Sequence, residues 1–192
     1  IVNVTKRVPT VLEAAGEELP ASFRQLIERL TKHLKELDRQ VDELEAQIKA
    51  WHRDSELSCK LEKIPGIGPL GASALVASIA DANSFDNGRQ LSASLGLVPR
   101  QDSSGGKPKL LGISKRGDVY LRTLLIHGAR SAILAAQRKS VNTNVWLAKL
   151  LDRRHPNIAA VALANKNART VWALLAHGRE FRADYVPEVS AA

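Results

Sequence analysis

Residues 96–122 read GLVPRQDSSGGKPKLLGISKRGDVYLR. A run this polar and this broken by glycine cannot be a buried element. It separates two stretches of helical apolar periodicity, which makes it a surface loop in a mainly α chain. It carries the adjacent hydroxyls of Ser103 and Ser104, followed by Gly105 and Gly106. Neighbours without side chains let a bulky polyanion approach the serines closely, and Lys107, Lys109, Lys115 and Arg116 supply the positive charge such a partner needs. The loop therefore reads as a contact for a phosphate backbone.

The charge around it points the same way. The chain has 192 residues and a formal net charge of +8. Residues 100–154 hold twelve Lys or Arg, including Arg100, Arg122, Arg130 and Arg138, against Asp102, Asp118 and Asp152, so the excess of nine sits here and the remainder nets −1. Such concentration suits a nucleic-acid partner, although an anionic membrane surface or a solvated face gives the same count. No apolar run approaches the roughly 20 residues needed to span a bilayer. A single cysteine, Cys59, excludes an intramolecular disulfide and a cysteine-based zinc site, which fits a reducing cytoplasm. The first residues are too short and mixed for a signal peptide. With no methionine anywhere, the chain is expected to be a fragment lacking its amino-terminal part.

On the amino-terminal side of the loop, Ile64-Pro65-Gly66-Ile67-Gly68-Pro69-Leu70-Gly71-Ala72 lies between a short helix ending at Lys63 and an apolar helix over about 73–80. Helix, tight glycine hairpin, helix is the geometry of the helix-hairpin-helix motif, whose outward N–H groups can take a phosphate oxygen. Pro65, Gly66, Ile67 and Gly68 are the candidate contacts. A plain αα-hairpin without a ligand would use the same apolar flanks. Gly88–Leu95 forms a short helix with Gly96 as its C′ glycine. Helix resumes near Gly117 and continues to about Gln137, another covers Val141–Asp152, and Pro156 opens an alanine-rich one ending at Gly178. The only plausible strands are a small hairpin around Lys107–Ile113.

Before all of this, Pro9–Ala15 makes a short turn of helix and Pro20 opens a long one, with Ser22 as cap candidate. Phe23, Ile27, Leu30, Leu34, Leu37, Val41, Leu44, Ile48 and Trp51 alternate intervals of four and three without a break. β-branched residues mostly at a and leucine mostly at d predict a two-stranded coiled coil, and hence self-association through residues 22–52. The other reading is a helix packed on its own domain, but so strict a stripe is narrower than a globular helix normally shows. The organisation expected is a residual linker at 1–19, the coiled coil at 20–55, a compact helical domain at 56–178 with the hairpin motif and the Gly/Ser/Lys loop, and a tail at 179–192.

Catalytic groups are not evident from residues alone. The acids are scattered, most look like turn or cap residues, and no metal ligand set emerges. The histidines show no ligand spacing. An unassisted serine hydroxyl barely ionises at neutral pH, so phosphate contact is the default role of the loop serines and nucleophilic attack the minority one.

The order of heptad helix, I-P-G-I-G-P-L-G-A, S-G-G-K and I-S-K-R-G-D-x-x-L-R, over about Leu19–Leu175, resembles the carboxy-terminal half of the insertion-sequence 110 family transposases, relatives of the pilin-gene invertases. The resemblance implies a prokaryotic, cytoplasmic recombinase. Its Ser104 would attack a DNA phosphodiester, with Lys107, Lys115, Arg116 and Arg122 on backbone phosphates or on the reacting phosphorus. It also implies DNA and a guide RNA as partners, and Mg²⁺ held by four acids of a RuvC-like domain that this chain lacks. No cofactor is expected in the fragment, which should bind but not recombine. The alternative is a non-catalytic helix-hairpin-helix module whose serines only touch phosphate.

Overall fold

The structure is a computed structural model describing residues 2–102, 109–139 and 145–182. It divides into two compact units, Ile1–Ile48 and Lys49–Ala192.

In the first unit, α1 (Val2–Ala14) leads through a 3-10 turn at Gly16–Glu18 into α2 (Ala21–Asp54). The single turn expected from Pro9 is in fact a helix that starts seven residues earlier and runs through the proline. Pro9 lacks one backbone bond, a cost of about 3 kcal/mol in a helix interior. Packing offsets it: Thr5 and Leu12 are buried, and Val4, Val8, Val11, Leu12 and Leu19 line a groove with Ile27 of α2. Arg24 closes the end of α1, donating to the carbonyl of Leu12 (2.8 Å) and to that of Gly16. Such a cation satisfies carbonyls that the last turn leaves orphaned. Ser22 lies inside α2 and caps nothing; the first amides of the helix bond the Pro20 carbonyl instead.

The heptad stretch is one continuous helix of 34 residues, about 51 Å long at 1.5 Å per residue. Its d-position residues Phe23, Leu30, Leu37 and Leu44 stay exposed, Leu44 at 58%. Along its outer face Arg39 bridges Glu36 and Glu43, and the Arg39 hydrogen bond holds the Glu36 carboxyl down to about 2. The polar stretch 52–55 does not break the helix until Ser55, because His52 is buried. Its Nδ1 meets Ser58 Oγ (2.7 Å) and its Nε2 meets Glu62 (2.9 Å).

The second unit continues with α3 (Glu56–Glu62), α4 (Pro69–Ser78), a 3-10 turn at Ala82–Ser84, α5 (Gly88–Ser94), the antiparallel strands β1 (Pro99–Gln101) and β2 (Leu110–Ile113), α6 (Val119–Lys139), α7 (Val145–Arg153) and α8 (Pro156–His177). The fold is mainly α, as the periodicities predict. Side-chain caps set several starts: Ser55 for α3, Asn87 for α5, Asp118 for α6. Gly178, left-handed at φ +61, ends α8.

α8 is the axis of this unit. Ala159, Ala160, Ala164 and Ala168 are all buried, and their small side chains let α5 and α6 approach it closely. Leu61, Ile64, Leu75, Leu91, Leu97, Leu125 and Val171 complete a single core. Trp172 Nε1 ties the 3-10 turn down by donating to the carbonyls of Ala82 and Phe85, both at 3.0 Å. Among the described residues, no helix is long and apolar enough to cross a membrane.

Candidate nucleic-acid interface

The turn between α3 and α4 is built by close packing. Ile64 and Ile67 are buried in the core, and the Ile67 amide donates to the Ile64 carbonyl (2.9 Å). Gly66 sits at φ +92, and a Cβ there would lie 2.6 Å from the carbonyl oxygen of Gly128 in α6. A Cβ on Gly128 would in turn overlap the Gly66 carbonyl. The backbone that Gly66 admits is therefore that of α6, a change from the sequence expectation of a close phosphate. Ile67 departs from that expectation too, since its side chain is in the core and its amide is spent inside the turn. Pro65 and Gly68 do reach the surface. Asn167 of α8, itself buried, donates from Nδ2 to the Pro65 carbonyl (2.9 Å) and fixes the turn from below. Gly68 precedes α4 without a side-chain cap, and Pro69 has no N–H, so Leu70 and Gly71 carry the first amides of that helix.

The second feature is the β-hairpin. The sequence placed it around 107–113; its first strand lies earlier, at 99–101, and proline at an outer position is compatible with that edge. Pro99 pairs with Ile113 and Gln101 with Leu110, so β2 carries one extra residue, a bulge. The Asp102 amide donates to the Lys109 carbonyl (2.9 Å), closing the hairpin around residues 103–108. Ser103, Ser104, Gly105, Gly106 and Lys107 lie outside the described residues. The strands themselves are exposed, apart from half-buried Ile113.

The root of the hairpin is closely packed, whereas its strands are exposed. Gly96 (φ +70) and Gly117 (φ +85) lie against opposing backbone: a Cβ on Gly117 would overlap the Ser94 carbonyl, and one on Gly96 the Arg116 carbonyl. The Lys115 amide donates to Gly96 O (3.1 Å) and Ser114 to Val98 O (2.8 Å). Arg122, expected on phosphate, is only 8% exposed. Its Nη1 donates to the carbonyls of Leu95 (3.0 Å), Arg116 (3.3 Å) and Asp118 (3.4 Å). It braces the root from inside because i, i+4 spacing along α6 turns it toward α5. Asn165 of α8 adds a bond to Leu97 O (3.1 Å). Neither asparagine was legible as a site residue, for their partners lie 68 and 102 residues away.

On this root stand Arg100, Lys109, Lys115 and Arg116, all exposed, and none forms an ion pair among the described residues. Lys115 is held at φ +57, unusual for a side-chain-bearing residue. Of the acids in this stretch, Asp118 is engaged in capping the Leu121 amide (2.8 Å), while Asp102 is exposed in the hairpin, its amide bonded to the Lys109 carbonyl and its carboxylate in no ion pair among the described residues. Among the described residues, no three His, Cys, Asp or Glu side chains come together as a metal site. What the arrangement can do is present positive charge from four exposed side chains on a closely packed base.

Comparison with known proteins matches this region to the Transposase IS116/IS110/IS902 family over residues 59–144, which takes in the α3–α4 turn, the hairpin and α6. The chain belongs to that family. It is 48% identical over 173 residues to a probable family 20 transposase of Pseudomonas aeruginosa, an overlap covering 90% of this chain and 51% of the relative. It is 42% identical over 177 residues to the transposase for insertion sequence element IS1111A of Coxiella burnetii (92% and 49%). With the transposase for IS1328 of Yersinia enterocolitica the figure is 41% over 180 residues (94% and 53%). The chain thus spans about half the length of the curated relatives it matches.

Proposed function

We propose that this chain supplies the coiled-coil and serine-bearing part of a DNA transposase, binding DNA and a guide RNA and contributing Ser104 as the nucleophile for strand cleavage and exchange. The observation that carries the reading is the hairpin: two exposed strands on a glycine-locked root, with four exposed cations that form no ion pair among the described residues, on either side of the segment 103–108 to which Ser104 belongs. Isolated two-stranded hairpins are marginal in water, so one projected this way is suited to being covered by a ligand. Ser104 Oγ would form a bond to the phosphorus as the sugar oxygen leaves, its own proton passing to a base outside this loop. The product is a serine–phosphate ester that conserves the energy of the broken linkage for rejoining. Lys109, Lys115, Arg116 and Arg100 would hold flanking phosphates, and Pro65 with Gly68 and the α4 amides would take a second stretch of backbone.

Mg²⁺ does not fit the described residues, whose acids are dispersed; the RuvC-like domain implied by the resemblance is where it is expected. This part alone is expected to bind and not to cleave. The test is trapping: a nicked suicide DNA substrate with the full-length transposase, its RNA and Mg²⁺ should yield a covalent protein–DNA adduct mapping to Ser104. An adduct on another residue, or none at all, refutes the nucleophile and leaves a non-catalytic binding module.

Self-association through α2 belongs to the same proposal. The exposed leucines at d positions match a two-stranded seam. Replacing Leu30, Leu37 and Leu44 together by Lys should convert a dimer to monomer in sedimentation equilibrium, with helicity of the second unit unchanged. A dimer that persists refutes the seam.

A further inference from the structure

The outer face of α6 is a charged surface that the hairpin reading does not use. At 100° per residue, Tyr120, His127, Arg130, Ser131, Leu134 and Arg138 fall within an arc of about 100°, and all six are exposed. The opposite side carries Leu121, Arg122, Leu125, Ala129 and Ile133, all buried. Arg122, Arg130 and Arg138 share an eight-residue spacing, yet the drift of that spacing sends the first into the core and leaves the other two outside. From Val119 to Lys139 there is no Asp or Glu at all. Asp118, just before the helix, is engaged as its cap.

We propose that this face is a second docking surface for duplex DNA, tracking one phosphate strand away from the hairpin; the inference rests on the DNA-binding reading above and extends it. Charge complementarity selects the occupant. A protein-binding face would carry an apolar or aromatic centre, whereas Leu134 is the one large aliphatic side chain in the arc. A single-stranded nucleic acid is held by a series of aromatic platforms, and Tyr120 stands alone. What remains is guanidinium, imidazole and hydroxyl donors in a straight line. Tyr120 to Arg138 spans about 27 Å at 1.5 Å per residue. At about 3.4 Å of duplex axis per base pair, that length runs beside roughly eight base pairs. Lys115 and Arg116 precede the first turn of the same helix, so the surface is continuous with the hairpin root.

The test measures binding of a 30-base-pair duplex DNA and of a 30-nucleotide single-stranded RNA to the 192-residue chain across a salt series. Three proteins are compared: unmodified, Arg130→Gln with Arg138→Gln, and Lys115→Gln with Arg116→Gln. Circular dichroism establishes that each retains its helix content, and Arg130→Lys with Arg138→Lys serves as a charge-conserving check that should restore binding. The α6 pair should weaken duplex binding by one to two decades near 0.1 M salt and shrink the log–log salt slope by about 1.8, two phosphates at about 0.9 each. If the α6 pair binds duplex DNA like the unmodified chain while the 115/116 pair is weakened, the α6 surface is refuted and the hairpin reading stands. If neither pair alters binding, both fall. Loss of RNA binding alone in the α6 pair overturns the choice of DNA.

Discussion

Ser104→Ala in the full-length transposase is expected to abolish strand cleavage, by on the order of 10⁴-fold or more, while DNA affinity stays close to that of the unmodified protein. Removing an attacking oxygen removes the covalent route altogether, and losses of that order or larger accompany deletion of a nucleophile in other enzymes. On the proposed reading affinity comes from elsewhere, from Arg100, Lys109, Lys115 and Arg116, all exposed. A hydroxyl adds little to binding that counterion release dominates. Ser103→Ala separates the two neighbours: it should cleave normally if Ser104 is the attacking group. The measurement is single-turnover cleavage of a labelled DNA substrate, with gel shift on the same preparations. Cleavage by Ser104→Ala at the unmodified rate would end the proposal, and a joint loss of cleavage and binding would make Ser104 a contact and not a nucleophile.

Gly117→Ala should be the most destabilising single-methyl change in the second unit. At φ +85 a side chain is disfavoured by about 1–2 kcal/mol before any contact is counted. The added Cβ would then overlap the Ser94 carbonyl, a backbone atom that cannot swing aside. Together these predict about 4 kcal/mol, in the tail of point-mutation effects. With roughly 2–4 °C per kcal/mol for a domain of this size, the melting temperature should fall by about 10 °C. Gly112→Ala is the control, because nothing lies within 4 Å of its Cβ and its backbone is ordinary. It should melt within about 1–2 °C of the unmodified protein. Equal melting of the two variants would mean that the root is not locked as described. A weakened root should also blunt DNA binding, since Lys115 and Arg116 are positioned by it.

Much of this architecture could be read along the chain. The alternating apolar intervals of residues 23–51 announced a long helix, Gly96 and Gly178 marked helix ends, and Pro156 a start, because caps and periodicity are local signals. The cationic set Arg100, Lys109, Lys115 and Arg116 was legible as well, for charges beside glycine-rich loops stay at the surface wherever the loop docks. Pro9 misled because the groove against Ile27 outweighs one missing bond, an energy that lies outside a local window. The hairpin's first strand was missed because three exposed residues carry no alternation to detect.

Composition, spacing and capping residues by themselves determined that the chain is mainly helical, that its positive charge gathers in residues 100–154, and that an apolar stripe runs along α2. Only tertiary structure decided which glycines are indispensable and which cations face out. Gly66 and Gly128 form one contact across 62 positions, and Arg122 is drawn inward where Arg130 and Arg138 are not. The physical reason is common to both: a positive φ or a helical register is local, but the carbonyl that fills the space beside it comes from a distant part of the chain, and contact at van der Waals range admits no substitute.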